Sequence, residues 1–458
     1  MTTASPRIPN LQDTATPFGV QLSGVYKQSF AYTTIKDRLP VILTRIIDTF
    51  CQNKNQIIDT YGQGATEDIK YIIGFISQLK NEIVTNKTLK PLRLNPKAIS
   101  NDAEEWNKYL EYRTRVEGET PTWFNTIWLY CETYMYRVLA QEIGLTSTIQ
   151  NYDPFEQHKQ AVFINSIDSV DAVALYVKNI ISDEKYNKEN SKNDFVKLLK
   201  LSLWSNRYDL SLSAGAALKQ TGNPVDVVES FDEDILVNDW EPVWHIVKEN
   251  LEENGDNIHI VFDNAGYELF SDLCLAAFLV TIVPTTKITF YVKAYPWYVS
   301  DTTIDDFHWI LDYMSSRDGY PNLQLLSKTF KEFLDRKIWN VKKEPYWTGP
   351  YDFRQMKEKE IKTYIQLSSA KLAIFKGDLN YRKLLGDINF EYSTSFITAL
   401  GDFRPTNILS LRTLKSDVCV GLPHGMAEKL FEKNKNWLLT GEYGLIQAAV
   451  GLHKSHLS

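Results

Sequence analysis

Apolar residues in the first part of the chain recur with the spacing of helices. Over residues 39–50 they fall at every third or fourth position, and the same spacing returns over residues 69–83. This spacing puts the apolar side chains on one face of a helix. Thr66, followed by two acidic residues, is a suitable cap for the second helix. Two more helices are predicted over residues 121–143 and 164–181.

The hydrophobic period changes in the second half of the chain. Short runs rich in β-branched and aromatic residues occur at residues 258–262, 288–292, 372–375 and 408–411, and each ends in a polar loop. Strands that alternate with helices predict a mostly parallel sheet with helices on both faces. We therefore predict the α/β fold class, a Rossmann-like α/β/α arrangement with a mostly parallel sheet flanked by helices and a helical bundle domain at the N-terminus.

Length and local composition predict how the chain is divided. At roughly 100 to 200 residues per domain, a chain of 458 residues has room for two domains. Residues 182–193 are polar and charged and contain no aliphatic side chain, which is typical of a surface loop at a boundary. We expect residues 1–30 to form a flexible tail, residues 31–190 a helical domain and residues 191–458 an α/β catalytic domain.

The charge balance of the chain is acidic. Lys and Arg number 50 against 57 Asp and Glu, and the formal net charge at pH 7 is -7. A protein that coats nucleic acid needs a basic surface, so we expect no nucleic-acid partner. The hydrophobic fraction of 43% is sufficient for a packed core and excludes a mostly disordered chain.

Three further features indicate a soluble protein of a reducing compartment. The cysteines are few and scattered, and they have apolar or aromatic neighbours, as buried thiols do. The longest apolar run, residues 273–283, is shorter than the ~20 residues that cross a bilayer. Residues 1–10 lack the apolar core of a secretion signal. We therefore expect a cytoplasmic or nuclear protein with no membrane partner.

Oxygen ligands follow the first two predicted strands. Asp263 and Asn264 come directly after the first strand, and Asp301 lies in the loop after the second. The carboxyl ends of parallel strands form the usual ligand-binding edge of such a sheet. Carboxylate and amide oxygens suit magnesium or manganese, although Asp-Asn after a strand also makes ordinary turns. Glu268 lies in the first turn of the next helix, where interaction with the helix dipole is the alternative to a role in the site.

The loops after the third and fourth predicted strands carry groups suited to phosphate. Their polar residues are Lys376, Asp378, Asn380, Arg382 and Lys383, and then Arg412 and Lys415. Gly377, within the first loop, lets backbone N–H groups approach an anion, and an arginine can bind two phosphate oxygens through parallel hydrogen bonds. Together these groups favour a phosphate site that faces the metal. A solvated helix face is the alternative for Arg382 and Lys383.

Motifs of several common enzyme classes are absent from the sequence. It contains no Gly-x-Gly-x-x-Gly, which argues against a usual dinucleotide site and against the glycine-rich turn of common methyltransferases. It also contains no Gly-x-x-x-x-Gly-Lys-Ser/Thr of the P-loop nucleotide hydrolases. Neither Gly-x-Ser-x-Gly nor His-Glu-x-x-His occurs.

Several segments resemble the metal-dependent damage-control phosphatase family. They are Leu203-Trp204-Ser205-Asn206 with Asp209-Leu210-Ser211, Phe262-Asp263-Asn264 with Gly266 and Glu268-Leu269, Val299-Ser300-Asp301, Phe375-Lys376-Gly377-Asp378-Leu379-Asn380-Tyr381-Arg382-Lys383-Leu384 and Arg412-Thr413-Leu414-Lys415. The similarity runs from about residue 29 to residue 443, and its last two motifs are highly specific. Ser205, Ala265 and Leu385 replace a Gly, a Ser and a Thr of relatives, and none of the three is a ligand.

The resemblance implies a phosphatase for small sugar phosphates, with fructose 1-phosphate and fructose 6-phosphate as preferred substrates. Manganese, cobalt or nickel, with magnesium as a further candidate, would be held by Asp263, Asn264 and Asp301. The implied substrate-binding residues are Asp263, Asn264, Asp378, Leu379, Asn380, Tyr381, Arg382, Lys415, Arg412, Asn206 and Asp209. The implied catalytic residues are Asp263, Asp301, Lys376 and Asp378.

In this mechanism Lys376, Arg382 and Lys415 would offset charge on the phosphoryl oxygens. The residues leave open whether water attacks the phosphorus directly or Asp263 attacks first.

The resemblance also implies a second activity. Members of this branch have been assigned S-adenosylmethionine-dependent methylation of glutamates in a protein partner, and Glu268 matches a residue assigned to that cofactor. The sequence lacks a glycine-rich turn for such a cofactor, so phosphatase activity ranks first. A helical adaptor with a decayed enzyme domain is disfavoured, because every residue of the predicted site is present.

Overall fold

Nine strands and nineteen α-helices occupy the part of the chain that the computed structural model describes, which is residues 10–94, 102–183, 191–213, 223–252 and 257–451. For residues 206–213 and 249–252 this description covers the helix backbone and not the side chains. The strands are β1 (Val20–Gln21), β2 (Ile235–Asn238), β3 (Asn257–Val261), β4 (Ile288–Val292), β5 (Trp339–Lys343), β6 (Ala370–Lys376), β7 (Ile388–Asn389), β8 (Asn407–Thr413) and β9 (Gly444–Ala449).

The helices are α1 (Phe30–Thr33), α2 (Leu39–Gln52), α3 (Lys54–Tyr61), α4 (Ala65–Val84), α5 (Asp102–Glu117), α6 (Trp128–Gly144), α7 (Glu156–Asn165), α8 (Ile167–Ile181), α9 (Ser191–Ser213), α10 (Pro224–Val227), α11 (Trp240–Glu252), α12 (Tyr267–Ile282), α13 (Ile304–Ser316), α14 (Pro321–Asp335), α15 (Met356–Lys359), α16 (Ile361–Ser368), α17 (Gly377–Leu384), α18 (Phe396–Leu400) and α19 (Met426–Lys433). A π-helical turn, Thr34–Arg38, joins α1 to α2. Within these ranges, none of the helices combines the length and the apolar character needed to cross a membrane.

Seven of the strands form one sheet in the order β2-β9-β8-β6-β3-β4-β5. Neighbouring strands run parallel, except for β8 and β9, which pair antiparallel. In the centre of the sheet, His259 of β3 lies opposite Thr289 of β4 and Ala373 of β6. The next two residues of β3, Ile260 and Val261, belong to different hydrophobic clusters, as expected for a strand that is covered on both faces. The predicted α/β class is confirmed.

Helices cover both faces of this sheet. On one face, buried side chains of α8, α9, α12, α13 and α14 pack with those of the strands. On the other face, α2, α4, α6 and α17 belong to one cluster with Val261 and Phe375. The helices of the N-terminal region therefore share a continuous core with the sheet. The domain boundary predicted near residue 190 falls between α8 and α9, and the division into domains stays a prediction.

Two of the predicted helices are confirmed, as α2 and α4. The proposed cap is wrong, because α4 begins at Ala65 with Gly64 as its N-cap residue, and Thr66 lies in the first turn. The sequence around Thr66 is compatible with a helix that begins at Ala65 and with one that begins at Glu67, so the sequence did not distinguish the two starts.

The other two predicted helices are too long. The helix predicted over residues 121–143 begins at Trp128, because the backbone of Ile127 is extended (φ -63°, ψ 140°). The helix predicted over residues 164–181 is divided into α7 and α8 at Ser166, whose backbone leaves the helical conformation (φ -96°, ψ 7°). Apolar spacing continues across both irregularities, which explains why the pattern suggested one helix in each case.

All four predicted strands are confirmed, as β3, β4, β6 and β8. The pattern missed β2 and β5, which form the two edges of the sheet, and the antiparallel β9. Edge strands bury less surface, and β5 has the mixed sequence Trp-Asn-Val-Lys-Lys with only its first residue buried. Such strands lack the continuous apolar run that marks a central parallel strand.

The segment predicted as a flexible tail is attached to the catalytic part over residues 10–30. β1 pairs antiparallel with β7. Leu22 is fully buried, its N–H donates to the carbonyl oxygen of Asp387 at 2.9 Å, and its own carbonyl accepts from the N–H of Trp128 at 2.7 Å. These contacts correct the tail prediction for residues 10–30, while residues 1–9 lie outside the described residues.

Leu22→Ala tests whether this segment belongs to the cooperative fold. Leu22 is 0% exposed, so the cavity left by its side chain should lower the free energy of unfolding by about 2–5 kcal/mol. Val20→Ala is the matched control on the same segment, because Val20 is 37% exposed and its truncation should cost about 0.5 kcal/mol. Equilibrium denaturation followed by circular dichroism compares the two. Equal losses in both variants would contradict the attachment.

Candidate active site

The loops that follow β3 and β4 meet at the carboxyl edge of the sheet. Asn264 and Asp301 form an isolated antiparallel bridge. The N–H of Thr302 donates to the carbonyl oxygen of Asp263 at 2.7 Å, and the N–H of Ala265 donates to that of Ser300 at 2.8 Å. The structure thus brings together the three residues that the sequence predicts as metal ligands, because β3 and β4 are parallel neighbours.

The amide of Asn264 connects the acidic side chains at this edge. Its Nδ2 donates to Asp263 Oδ2 at 3.0 Å and to Glu268 Oε2 at 2.8 Å. Its Oδ1 accepts from Ser300 Oγ at 2.5 Å. Asp263, Glu268 and Asp301 are all buried. Asp263, Asn264, Glu268 and Asp301 are called the carboxylate cluster below.

The electrostatics of the carboxylate cluster favour a bound cation. Burial, together with the charges of Asp301 and Glu268, raises the pKa of Asp263 well above its ordinary value. Burial also raises the pKa of Asp301 to about 6, against the opposing effect of Lys293. Carboxyl groups that are buried near one another cannot all ionise cheaply, and a divalent cation among them removes that penalty.

The donor set fits a cation that prefers oxygen ligands. Among the described residues, no three acidic, histidine or cysteine side chains are grouped so that they could hold a metal ion by themselves. Asp263 and Asp301 offer two carboxylates, and Asn264 would add its amide oxygen if the amide rotated, because its Nδ2 now faces Asp263 and Glu268. A small set of this kind suits ions such as magnesium, which are bound through one or two carboxylates together with water and substrate phosphate.

Gly377 brings the start of α17 directly against the carboxylate cluster. Its φ is +83°, and a Cβ atom at this position would lie 1.8 Å from Asp263 Oδ2. A side chain at residue 377 would therefore collide with Asp263 as well as strain the backbone. The sequence predicts a glycine that admits an anion, and the structure shows that the same glycine also admits a carboxylate from β3.

Asp378 organises the loop that carries Lys415. Its Oδ1 accepts from Arg412 Nε at 2.7 Å, from Ser416 Oγ at 3.1 Å and from the Lys415 N–H at 3.3 Å. Arg412 is fully buried, and its other nitrogens donate to the carbonyl oxygen of Val418 and to Ser416. The guanidinium of Arg412 therefore supports the loop, and Lys415 and Asp378 line the pocket.

Lys376 is turned into the protein interior. Its Nζ donates to the carbonyl oxygen of Ser202 at 2.6 Å and to Ser202 Oγ at 2.7 Å, and it lies 3.0 Å from Asp272 Oδ1. An ammonium group has three N–H donors, so these partners account for all of them. Glu268 Oε1 is a further 3.8 Å neighbour. This arrangement favours a role for Lys376 in holding α9 and α12 at the site over direct contact with phosphate.

Arg382 is buried and does not line the pocket. Its Nε and Nη2 bind Asp387 at 2.8 and 3.0 Å, and its Nη1 binds Glu132 at 2.7 Å. Its guanidinium lies 3.4 Å from the ring centroid of Trp128. The structure therefore places Arg382 in a buried ion group that joins α17 to α6. This differs from both sequence interpretations, a phosphate ligand and a solvated helix face.

The remaining predicted residues of α17 are structural through their side chains. Asn380 Nδ2 donates to the carbonyl oxygens of Lys376 at 2.8 Å and Phe262 at 3.2 Å. Tyr381 is fully buried and donates to Gln447 Oε1 at 2.8 Å. Leu379 is also buried, so any contact of these three residues with an anion would come from the backbone.

Two cations near the site have environments that the sequence did not indicate. Lys293, which follows β4, lies 3.1 Å from Asp301 Oδ2 and donates to the carbonyl oxygen of Phe262 at 2.7 Å. The position of Lys293 directly after an apolar strand is the sequence feature that could have identified it. Lys383 is fully buried and donates to the carbonyl oxygen of Gly349 at 2.8 Å, and burial lowers its pKa to about 7.

The side chains of Asn206 and Asp209 lie outside the described residues.

A small pocket collects part of the predicted site. Its lining consists of Leu203, Asp263, Glu268, Lys376, Gly377, Asp378, Leu411, Thr413 and Lys415, and it does not include Asn264 or Asp301. A larger cavity lies beside the start of α13 and contains Lys293 in its lining, but not Asp263 or Lys415. The chemistry of the small pocket, and not cavity size, identifies it as the candidate active site.

Comparison with known proteins shows the family of this chain. The family model described as "Damage-control phosphatase ARMT1-like domain" matches residues 34–430. The chain is 39% identical over 442 residues to Damage-control phosphatase ARMT1 of Xenopus tropicalis, covering 94% of this chain and 99% of that protein. It is 37% identical over 437 residues to the human protein of the same name, covering 93% and 97%. A DUF89 family protein from Pyrococcus horikoshii aligns with 76% of this chain and 91% of its own at 16% identity and a TM-score of 0.38.

The fold and the site define an α/β protein with a pocket of carboxylates and lysines at the carboxyl edge of a mostly parallel sheet. The extent of the family match and the identity to its members make the assignment more specific. The chain belongs to the damage-control phosphatase ARMT1-like family, and the resemblance drawn from its motifs is confirmed. This family is one of phosphatases.

Gly377→Ala tests the close approach of Asp263. Gly377 and Gly425 both have positive φ (+83° and +79°), but nothing lies within 4 Å of a Cβ atom at Gly425, whose backbone is left-handed. Gly425→Ala is therefore a control for backbone strain, which costs about 1–2 kcal/mol. Gly377→Ala should in addition abolish the rise in Tm caused by manganese, measured by differential scanning fluorimetry. Equal responses of the two variants to manganese would contradict the contact.

Asp301→Asn tests the cation site. A pKa raised to about 6 means that the metal-free Asp301 stabilises the fold below its ordinary pKa, near 4, and loses this contribution as the pH rises through 6. A cation binds the ionised form, so manganese should raise the Tm of the parent protein more at pH 8 than at pH 5. Asp301→Asn should lose most of this rise. The same rise in parent and variant would exclude Asp301 as a ligand.

Proposed function

We propose that this protein hydrolyses small sugar phosphates, such as fructose 1-phosphate and fructose 6-phosphate, with the help of a divalent metal ion. The proposal depends mainly on one observation. Two members of the carboxylate cluster, Asp263 and Glu268, line one small pocket together with Gly377, Asp378 and Lys415. Membership of a phosphatase family supports the reaction class.

Asp263, Asn264 and Asp301 would hold the metal ion, with manganese, cobalt, nickel and magnesium as candidates. When bound, such an ion supplies Lewis-acid stabilisation of phosphoryl oxygens. Lys293 keeps Asp301 in place through its 3.1 Å contact and connects it to the backbone before Asp263. A second group that orients a ligand in this way is a common property of metal sites.

The phosphate group would be bound by Lys415 and by the first turn of α17. The N–H groups of Gly377, Asp378 and Leu379 lie at the start of this helix, where backbone donors have no partner within the helix. The Lys415 side chain would supply a positive charge in the lining of the same pocket. Together they would offset the charge that develops on the phosphoryl oxygens. Asp378, whose side chain is 17% exposed, is placed to accept a sugar hydroxyl.

Lys376, Arg382 and Arg412 take supporting roles in this proposal. Each is engaged with a carboxylate: Lys376 with Asp272, Arg382 with Asp387, and Arg412 with Asp378. Buried charges that are paired in this way are retained, because an unpaired one would be costly. These residues would therefore fix the walls of the pocket and not contact the phosphate.

The methyltransferase alternative depends on Glu268. In the structure this residue belongs to the carboxylate cluster, where its Oε2 accepts from Asn264 Nδ2 at 2.8 Å. Its position therefore supports a part in the same acidic site. Phosphate hydrolysis stays the proposed function, and glutamate methylation stays the alternative that the resemblance implies.

A screen of sugar phosphates with several divalent metals tests the proposal, with Lys415→Ala as the diagnostic variant. The parent protein should release phosphate from fructose 1-phosphate and fructose 6-phosphate with manganese, cobalt or nickel, and excess chelator should stop the release. Lys415→Ala should lower kcat/KM by roughly a hundredfold, as loss of one charge-stabilising donor does. Colorimetric detection of phosphate measures both effects.

Lys435→Ala is the matched control for this variant, because Lys435 is an exposed lysine of the same region. It should retain the parental kcat/KM. Release that continues in chelator would contradict the need for a metal. An unchanged kcat/KM in Lys415→Ala would remove Lys415 from the site.

A further inference from the structure

The loop between β8 and residue 418, which carries Lys415, is attached at three places. On one side Asp378 Oδ1 accepts from Arg412, Ser416 and the Lys415 N–H. On a second side the N–H of Leu414 donates to the carbonyl oxygen of Tyr443 at 2.9 Å. The third attachment comes from outside the α/β part, and none of the sequence motifs indicated it.

Asp417 makes this third attachment to the start of the helical region. Its Oδ2 accepts from Ser29 Oγ at 2.7 Å and from the N–H of Phe30 at 2.8 Å. Ser29 is the N-cap residue of α1, and Phe30 is its first residue. Hydrogen bonds to an ionised acceptor are stronger than those between neutral groups. Two of them on one oxygen therefore hold the Lys415 loop against α1.

The same part of the chain is fixed to the α/β region elsewhere as well. Asn389 Nδ2, on β7, donates to the carbonyl oxygen of Thr16 at 2.5 Å. This contact fixes the N-terminal segment without touching the Lys415 loop. Loss of this hydrogen bond should loosen the N-terminal segment and leave the Lys415 loop in place. Asn389→Ala is therefore the matched control for Asp417→Ala.

We infer that Asp417 is a positioning residue, which holds Lys415 at the pocket by tying its loop to Ser29 and Phe30. The inference rests on the proposed role of Lys415 in binding the substrate phosphate. Lys415 is two residues from Asp417, and a long flexible side chain binds well only when its backbone is fixed. The helical N-terminal region thereby becomes part of the phosphate-binding apparatus.

The charge of Asp417 allows positioning to be distinguished from electrostatics. Removing a negative charge near a phosphate site should by itself favour anion binding and lower KM. Loss of the hydrogen bonds to Ser29 and Phe30 should instead raise KM. The Lys415 side chain would become more mobile, and substrate binding would have to restrict it. Asparagine at this position keeps one oxygen that can accept both hydrogen bonds, whereas alanine keeps none.

The experiment measures kcat and KM for fructose 1-phosphate in Asp417→Ala, Asp417→Asn, Ser29→Ala and Asn389→Ala. Asp417→Ala should raise KM about tenfold, a change typical of losing hydrogen bonds to a charged group, with a smaller effect on kcat. Ser29→Ala, which leaves the Phe30 bond, should raise it less, and Asp417→Asn should stay close to the parent. Asn389→Ala should keep the parental KM. If Asp417→Ala fails to fold, the Ser29→Ala and Asn389→Ala pair decides.

Hydrogen–deuterium exchange of the peptide covering residues 412–418 gives a second readout that does not depend on activity. Exchange should increase in Asp417→Ala and Ser29→Ala and not in Asn389→Ala. Parental exchange and parental KM in Asp417→Ala would overturn the inference, as would an equal KM rise in Asn389→Ala. If the parent protein hydrolysed no sugar phosphate, the proposed function would fail, while the exchange pattern would still decide whether Asp417 fixes the loop.

Discussion

The contact between the Asp263 carboxylate and the backbone of Gly377 is the constraint on which the site depends. A methyl group at residue 377 would lie 1.8 Å from Asp263 Oδ2. Because β3 and β6 are parallel neighbours, the loop after β3 and the start of α17 must occupy the same edge of the sheet. They can do so only where one of them has no side chain. This single glycine therefore brings the Asp263 carboxylate next to the backbone N–H groups at the start of α17, and the proposed metal and phosphate would use these two kinds of group.

Paired buried charges fix the positions of the surrounding helices relative to the site. Lys376 bonds to Ser202 on α9 and Asp272 on α12, and Arg382 bonds to Glu132 on α6. A buried ion that lost its partner would be costly, so each pair fixes the relative position of the elements it joins. The helical N-terminal region is thus linked to the site by ions as well as by the shared core.

The sequence was sufficient to predict the strand ends and insufficient to predict which way most side chains point. Asp263, Asn264 and Asp301 were found because apolar runs mark central strands, and the carboxyl ends of such strands meet at one edge. The remote partners of the cations were not found, because Lys376 contacts a residue 174 positions away and Arg382, besides the nearby Asp387, contacts one 250 positions away. No local pattern reports such distances. The same reason explains why Leu22 was assigned to a tail, since its partners Trp128 and Asp387 are remote in sequence.

The charge of the pocket follows from these pairings and differs from the cationic phosphate site that the loops after the third and fourth predicted strands indicated. Arg382 and Arg412 are engaged with Asp387 and Asp378, so their charges are already balanced. The carboxylate cluster would repel a phosphate dianion, and a divalent cation within it would convert that repulsion into attraction. Specificity for phosphate would then come from the cation, the first turn of α17 and Lys415 together. A protein with a net charge of -7 could in this way bind an anionic metabolite at one place on its surface.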